Sequence, residues 1–144
     1  MGKSSVRMGG FVSAKIIAVK DIALFVVENG KCSITPKYQN DIIDLDITKN
    51  GVDVQAPSST SKSGQIFSIN IRIELKFFEN HKFNSFNKYL ALLELPTGET
   101  HVFGTPAFPL VITEENTYSK TPSGKQAGIL NMAGKQPNNV LILS

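Results

Sequence analysis

Residues 66–78 constrain the fold more than any other stretch. Phe67, Ile69, Ile71, Ile73, Leu75 and Phe77 alternate there with Ser68, Asn70, Arg72, Glu74 and Lys76. A strict period of two over this length describes a long β-strand with one buried and one solvated face. Such a strand belongs in an antiparallel sheet, because strands of parallel sheets are apolar on both faces.

Turn chemistry supplies the neighbours. Asn29-Gly30 tolerates positive φ at both positions and predicts a two-residue hairpin joining residues 22–28 to 31–35. Counting outward pairs Glu28 with Lys31, Val27 with Cys32 and Phe25 with Ile34, so Phe25, Val27, Cys32 and Ile34 share a face. Asn50-Gly51 reads as a second hairpin turn, joining 42–48 to 52–56 and pairing Ile47 with Val54. Pro96-Thr97-Gly98 reads as a third, joining 89–95 to 99–103 through a three-residue turn with a bulge. Further strands are expected at 12–19, 109–113, 127–132 and 140–143. About nine to ten short strands at regular spacing predict an all-β fold, an antiparallel β-sandwich or barrel. One short helix is expected over 79–90, where Phe83, Phe86 and Leu90 fall at helical spacing behind Asn80.

A chain of 144 residues, 41% hydrophobic and 19% charged, can bury a sizeable core in a single domain spanning 1–144. The basic N-terminal segment 1–10 is expected to be flexible. Two polar stretches, 57–64 and 116–124, read as long loops. No apolar run reaches the roughly 20 residues needed to cross a bilayer, and none forms a secretory leader. The expected location is the cytoplasm. The start Met1-Gly2-Lys3-Ser4-Ser5-Val6 misses a myristoylation signal at Val6, and the sequence contains no Asn-X-Ser/Thr sequon.

The chemistry-bearing residues are few. One cysteine, Cys32, permits neither an intramolecular disulfide nor a multi-cysteine metal site, and its apolar face makes it a small core residue. Pieces of a phosphate-binding loop at 2–5 and 123–125 lack the strand and helix that would aim their amides. Asp41, Asp44, Asp46 and Asp53 crowd one predicted hairpin, but carboxylates on a wet edge are ordinary and no calcium-loop spacing is present. His101 is expected to face Glu94 or a neighbour across its turn, while His81 lies in a polar segment. No HExxH, Gly-X-Ser-X-Gly or Ser-His-Asp pattern exists, so the expectation is a protein that is not an enzyme, with no cofactor and no metal.

Charge is unevenly spread. Residues 1–20 and 116–144 carry bases and no acid, whereas the middle holds twelve carboxylates against eight basic side chains, a net of −4. The plain reading is that solvated ends happen to be basic; the sharper one is complementary surfaces on one subunit, which favour head-to-tail self-association.

The second half resembles a family. Tyr89-Leu90-Ala91-Leu92-Leu93-Glu94-Leu95, the Gly98 turn, His101-Val102-Phe103-Gly104-Thr105-Pro106 and Pro109-Leu110 follow one layout, closed by Gly128-Ile129-Leu130-Asn131-Met132 and Gly134-Lys135-Gln136-Pro137. The layout is similar to small prophage-encoded tail or virion structural proteins of Bacteroides-type bacteria. In it the Gly-Thr-Pro…Pro-Leu segment is a turn entering an edge strand, and Gly-Lys-Gln-Pro is the turn of a last hairpin. The resemblance implies a building block without catalytic residues, whose partners are copies of itself or other structural subunits. The residues expected at interfaces are Lys3, Arg7, Ser58, Ser59, Lys62, Asn116, Lys120 and Lys125.

The alternative is a β-barrel module for nucleic acid or another polymer. Its surface would combine Lys76, Lys82, Phe83, Phe86, Lys88 and Tyr89, since single strands are held by aromatic platforms flanked by cations. Phenylalanines at strand and helix spacing are more often core.

Overall fold

The computed structural model describes residues 7–8, 10–55, 58–61, 64–76, 88–119, 126–137 and 141–143. They form thirteen strands: β1 (Arg7–Met8), β2 (Ser13–Ala18), β3 (Ile22–Glu28), β4 (Lys31–Pro36), β5 (Ile42–Leu45), β6 (Ile47–Gln55), β7 (Ser58–Ser61), β8 (Gly64–Leu75), β9 (Lys88–Glu94), β10 (Thr100–Phe103), β11 (Leu110–Ser119), β12 (Gln126–Gln136) and β13 (Leu141–Leu143). Two single 3₁₀ turns, Val19–Asp21 and Gln39–Asp41, are the only helical elements among the described residues. The protein is all-β.

The long alternating strand is β8. Ile69, Ile71, Ile73 and Leu75 are each at most 1% exposed, while Asn70 and Arg72 face solvent. Each such aliphatic side chain contributes about 1.5–3 kcal/mol on burial. β12 covers one edge of β8 from Phe67 to Leu75, and β6 and β7 share the other.

The strand order is β1-β6-β8-β12-β11-β9-β10-β13-β4-β3, with β2 and β5 branching from β9. The branch point explains the architecture. β9 pairs along its length with β2 on one edge; its other edge is divided, Lys88–Tyr89 facing β11 and Ala91–Glu94 facing β10. The sheet therefore folds over itself without closing into a barrel.

Residues 89–93 are all buried, so β9 is covered on both faces. Tyr89, Ala91 and Leu93 join the larger core, made with β2, β6, β8, β11 and β12. Leu90 and Leu92 face the opposite way, into a smaller core with Ile17, Cys32, Val102 and Leu141, over which the β3–β4 hairpin lies. A continuous apolar run is what a strand buried on both faces requires.

The Asn29-Gly30 hairpin has the expected register: Glu28 pairs with Lys31, Val27 with Cys32 and Phe25 with Ile34. Both turn residues are left-handed, at φ 52° and 78°. The Pro96–Gly98 turn is also present. Leu95 and Glu99 close it through the Leu95 N–H to the Glu99 carbonyl at 2.8 Å, and Gly98 is left-handed at φ 92°.

Other expectations are corrected. Asn50-Gly51 does not join two separate hairpin strands: it lies within β6, where Ile47 pairs with Leu75 and Val54 with Ile71 rather than with each other. The extra residues form an irregularity between Ile47 and Val52, where a Cβ on Gly51 would stand 2.8 Å from the Glu74 carbonyl oxygen. The glycine answers a close backbone approach, because the apolar face of β8 needs a partner along its length. Ser58–Ser61 is strand β7 rather than loop, and Asn116–Ser119 belongs to β11. Lys88–Leu90, the end of the expected helix, is strand; the rest of that segment lies outside the described residues.

Gly134–Gln136 continues β12 instead of turning a last hairpin. β13 pairs instead with β10 and, in the one parallel ladder among the described residues, with β4. β11, expected at an edge, lies between β12 and β9. Arg7 and Met8, in the segment expected to be flexible, form β1 opposite Gln55 and Val54.

Candidate interaction surface

Among the described residues, strand β3 ends the sheet, with β4 as its sole strand partner. Its sequence, Ile-Ala-Leu-Phe-Val-Val-Glu, has apolar residues in both phases, so both faces are apolar. The inner face meets the smaller core only in part: Phe25 is half-buried, and Val27 remains 49% exposed. The outer face is solvated, with Leu24 56% and Val26 44% exposed.

A groove of about 380 Å³ lies beside this edge, lined by Phe25, Val27, Pro106, Phe108, Gln136 and Pro137. Its far wall is the loop between β10 and β11, held by reciprocal backbone hydrogen bonds between Thr105 and Phe108 at 3.0 and 3.1 Å. The Thr105 hydroxyl accepts a further bond from the Phe108 N–H. Gly104 starts this loop in the left-handed region at φ 86°. Phe108 is thereby presented to solvent at 46% exposure. Val27 and Phe108 flank this groove, and Leu24 and Val26 stand on the opposite face of β3; together they make up most of the large exposed apolar side chains among the described residues, and apolar exposure gathered at one edge marks a docking surface.

A second depression, about 340 Å³, is polar and lies on the solvated face of the other layer. Asp53 of β6, Arg72 of β8 and Asn131 of β12 stand in one cross-strand row, with Gln55 and Asn70 in the next and Thr113 at the border.

His101 pairs with Leu93, not Glu94, so its Nε2 meets Glu99 Oε1 at 2.8 Å while Ser13 Oγ donates to Glu94 Oε1 at 3.0 Å. The His101 ring lies edge-on to Phe11, and its Nδ1 is buried without a hydrogen-bond partner among the described residues. Cys32 is a core residue as expected, and desolvation pushes its thiol up to about 11.

The aspartates separate. Asp41 accepts the Tyr38 N–H, Asp44 pairs with Lys15 at 3.7 Å, and Asp53 belongs to the polar row. No group of three or more metal-ligating side chains occurs among the described residues. No helix there is long and apolar enough to cross a membrane.

Of the expected interface residues, Arg7 lies on β1, Ser58 and Ser59 on β7, and Asn116 on β11 opposite Ile129. Lys3, Lys62, Lys120 and Lys125 lie outside the described residues, as do Lys82, Phe83, Phe86 and His81. Lys76 and Lys88 are exposed, but Tyr89 is 2% exposed in the larger core and offers no face for a base to stack on. The β3 edge went unread as a surface, although its signal is present: an apolar run in both phases demands cover on both faces, and this hairpin has cover on one.

Compared with family models, curated proteins and solved structures, the chain matches none. The functional reading rests on its own residues.

Proposed function

We propose that this chain is a non-enzymatic structural subunit that assembles by docking another β-structure against the edge of β3 and the adjoining groove. One observation carries the reading: a sheet edge without a strand partner among the described residues, which exposes Leu24, Val26 and Val27, with Phe108 beside it. An apolar edge left open is a template for strand addition, and main-chain hydrogen bonds supply the affinity. The resemblance of the second half to tail and virion proteins of prophage-like elements is what favours a tail-like or virion particle as its setting.

Light scattering behind size-exclusion, across a concentration series, tests the assembly. Mass should grow reversibly with concentration, and a strict monomer throughout would overturn the reading.

A second reading, a binding module for a polymer, is favoured by the polar depression. Its guanidinium, carboxylate and carboxamides are planar hydrogen-bonding groups in register, suited to the hydroxyls of a saccharide. Arg72→Ala should abolish retention on a polysaccharide column. Absence of retention for the unaltered protein would dismiss this reading.

A further inference from the structure

We infer that a small pocket beside the smaller core binds a primary alkylammonium with a short apolar stem. The pocket measures about 140 Å³ and shares no residue with the groove at β3.

The strands bring its polar side together in register. Ser13 of β2 stands opposite Glu94 of β9, and Glu94 stands opposite Thr100 of β10, so three oxygen-bearing side chains form one cross-strand row in the lining. Two residues back along β9, on the same face, Leu92 is 5% exposed and belongs to the smaller core. Ile42 and Leu143 line the pocket too and pack against that core. The pocket is therefore polar on one side and apolar on the other.

Glu94 points to a ligand. It is half-buried, yet the Ser13 hydroxyl is the only partner of its side chain among the described residues. Lys15 shares the face and the lining, but its Nζ stands 3.7 Å from Asp44 Oδ1 of β5. β5 lies along the edge of β2 away from β9, so the lysine charge is drawn off from Glu94. A carboxylate has about four acceptor sites, and taking it out of water without a counter-charge is unfavourable. A cation from outside supplies what the described residues do not.

The acceptors specify the cation. Ser13 spends its proton on Glu94 Oε1, which leaves its oxygen to accept. With Glu94 and the Thr100 hydroxyl the row offers an acceptor for each of the three donors of an ammonium. One carboxylate is too few for calcium, which takes about six to eight oxygens. The volume holds about five water-sized groups, at about 30 Å³ each. A nitrogen with a four-carbon stem laid against Leu92 and Leu143 fills it. n-Butylammonium has that form, and so does the side chain of lysine.

Titration with n-butylammonium chloride, followed through the backbone amide resonances of Ser13, Leu92 and Thr100, tests the site. The three should shift together and saturate. Glu94→Gln keeps the shape and an acceptor for Ser13, and should weaken binding at least tenfold. Should that variant disturb the fold, Ser13→Ala must show a loss instead. n-Butanol should bind at least tenfold more weakly than the amine, and sodium butanoate should not bind. Lys15→Met should not weaken binding, because its ammonium is not a ligand.

A lysine capped at both ends separates two sources of the same chemistry. Affinity equal to that of n-butylammonium supports the site with a protein lysine as occupant, and binding of the free amine alone supports it with a small amine. Absence of saturable shifts, saturation unchanged in Glu94→Gln, or equal binding of butanoate overturns the inference. None of these outcomes bears on assembly at β3, which the light-scattering series reads separately.

Discussion

Gln136 Oε1 accepts the backbone N–H of Gly104 at 3.0 Å, from a side chain that is only 2% exposed. This bond ties the end of β12 to the start of the loop that carries Phe108, the far wall of the groove beside β3.

Replacing Gln136 with Met keeps the volume and strands the Gly104 amide. An unsatisfied buried donor costs about 1–3 kcal/mol. Urea unfolding should show a loss in that range, with self-association weakened as well because the groove wall loses its anchor. A stability equal to that of the unaltered protein would mean that water takes over the bond.

Phe108 lends its ring to the groove but not to the loop, which is held by backbone bonds and the Thr105 hydroxyl. Phe108→Ser should therefore change stability by no more than about 0.5 kcal/mol, as surface substitutions do. It should lower both hydrophobic-dye binding and the growth of mass with concentration. Unchanged growth would exclude the groove from the docking surface and leave the edge alone.

Gly51→Ala should be costly although Gly51 is not left-handed. The added carbon would sit 2.8 Å from the Glu74 carbonyl oxygen and 2.9 Å from that of Thr48, with the Thr48 hydroxyl closer still. Backbone must move to admit it, at about 1–3 kcal/mol. Thermal unfolding should show the loss. An unaffected midpoint would mean that the irregularity in β6 is soft.

Cys32 couples stability to alkaline pH. Burial raises its thiol from 9.0 to about 11, so between those values the unfolded chain releases a proton that the folded chain keeps. Stability contributed by this group is complete below pH 9 and declines as pH rises toward 11, by on the order of 2 kcal/mol. Cys32→Ala should flatten that part of the stability–pH curve. In the native state at pH 8 the thiol should react with a disulfide reagent only as fast as the protein opens.

Much of the fold was legible because it is encoded over a few residues. Asn29-Gly30 determines a left-handed turn, and the turn determines which residues of β3 and β4 pair. The alternation in β8 states which side chains are buried, whatever buries them. The surface was half legible: the run from Ile22 to Val27 shows that both faces of β3 are apolar, but not that one stays uncovered.

What only the tertiary structure decided is which edges meet. Asn50-Gly51 carries the same local signal as Asn29-Gly30, yet it lies in an irregularity within β6, because the residues on both sides of it pair with the apolar strand β8. Leu90 falls at helical spacing after Phe83 and Phe86, but β2 and β11 claim residues 88–90 for the sheet. Gly134–Gln136 looks like a turn and continues β12, while β13 crosses to β4. Local turn preferences amount to about 1 kcal/mol, whereas a strand buried between two cores gains several times that. Where the two disagree, distant pairing wins, and no short stretch of sequence contains it.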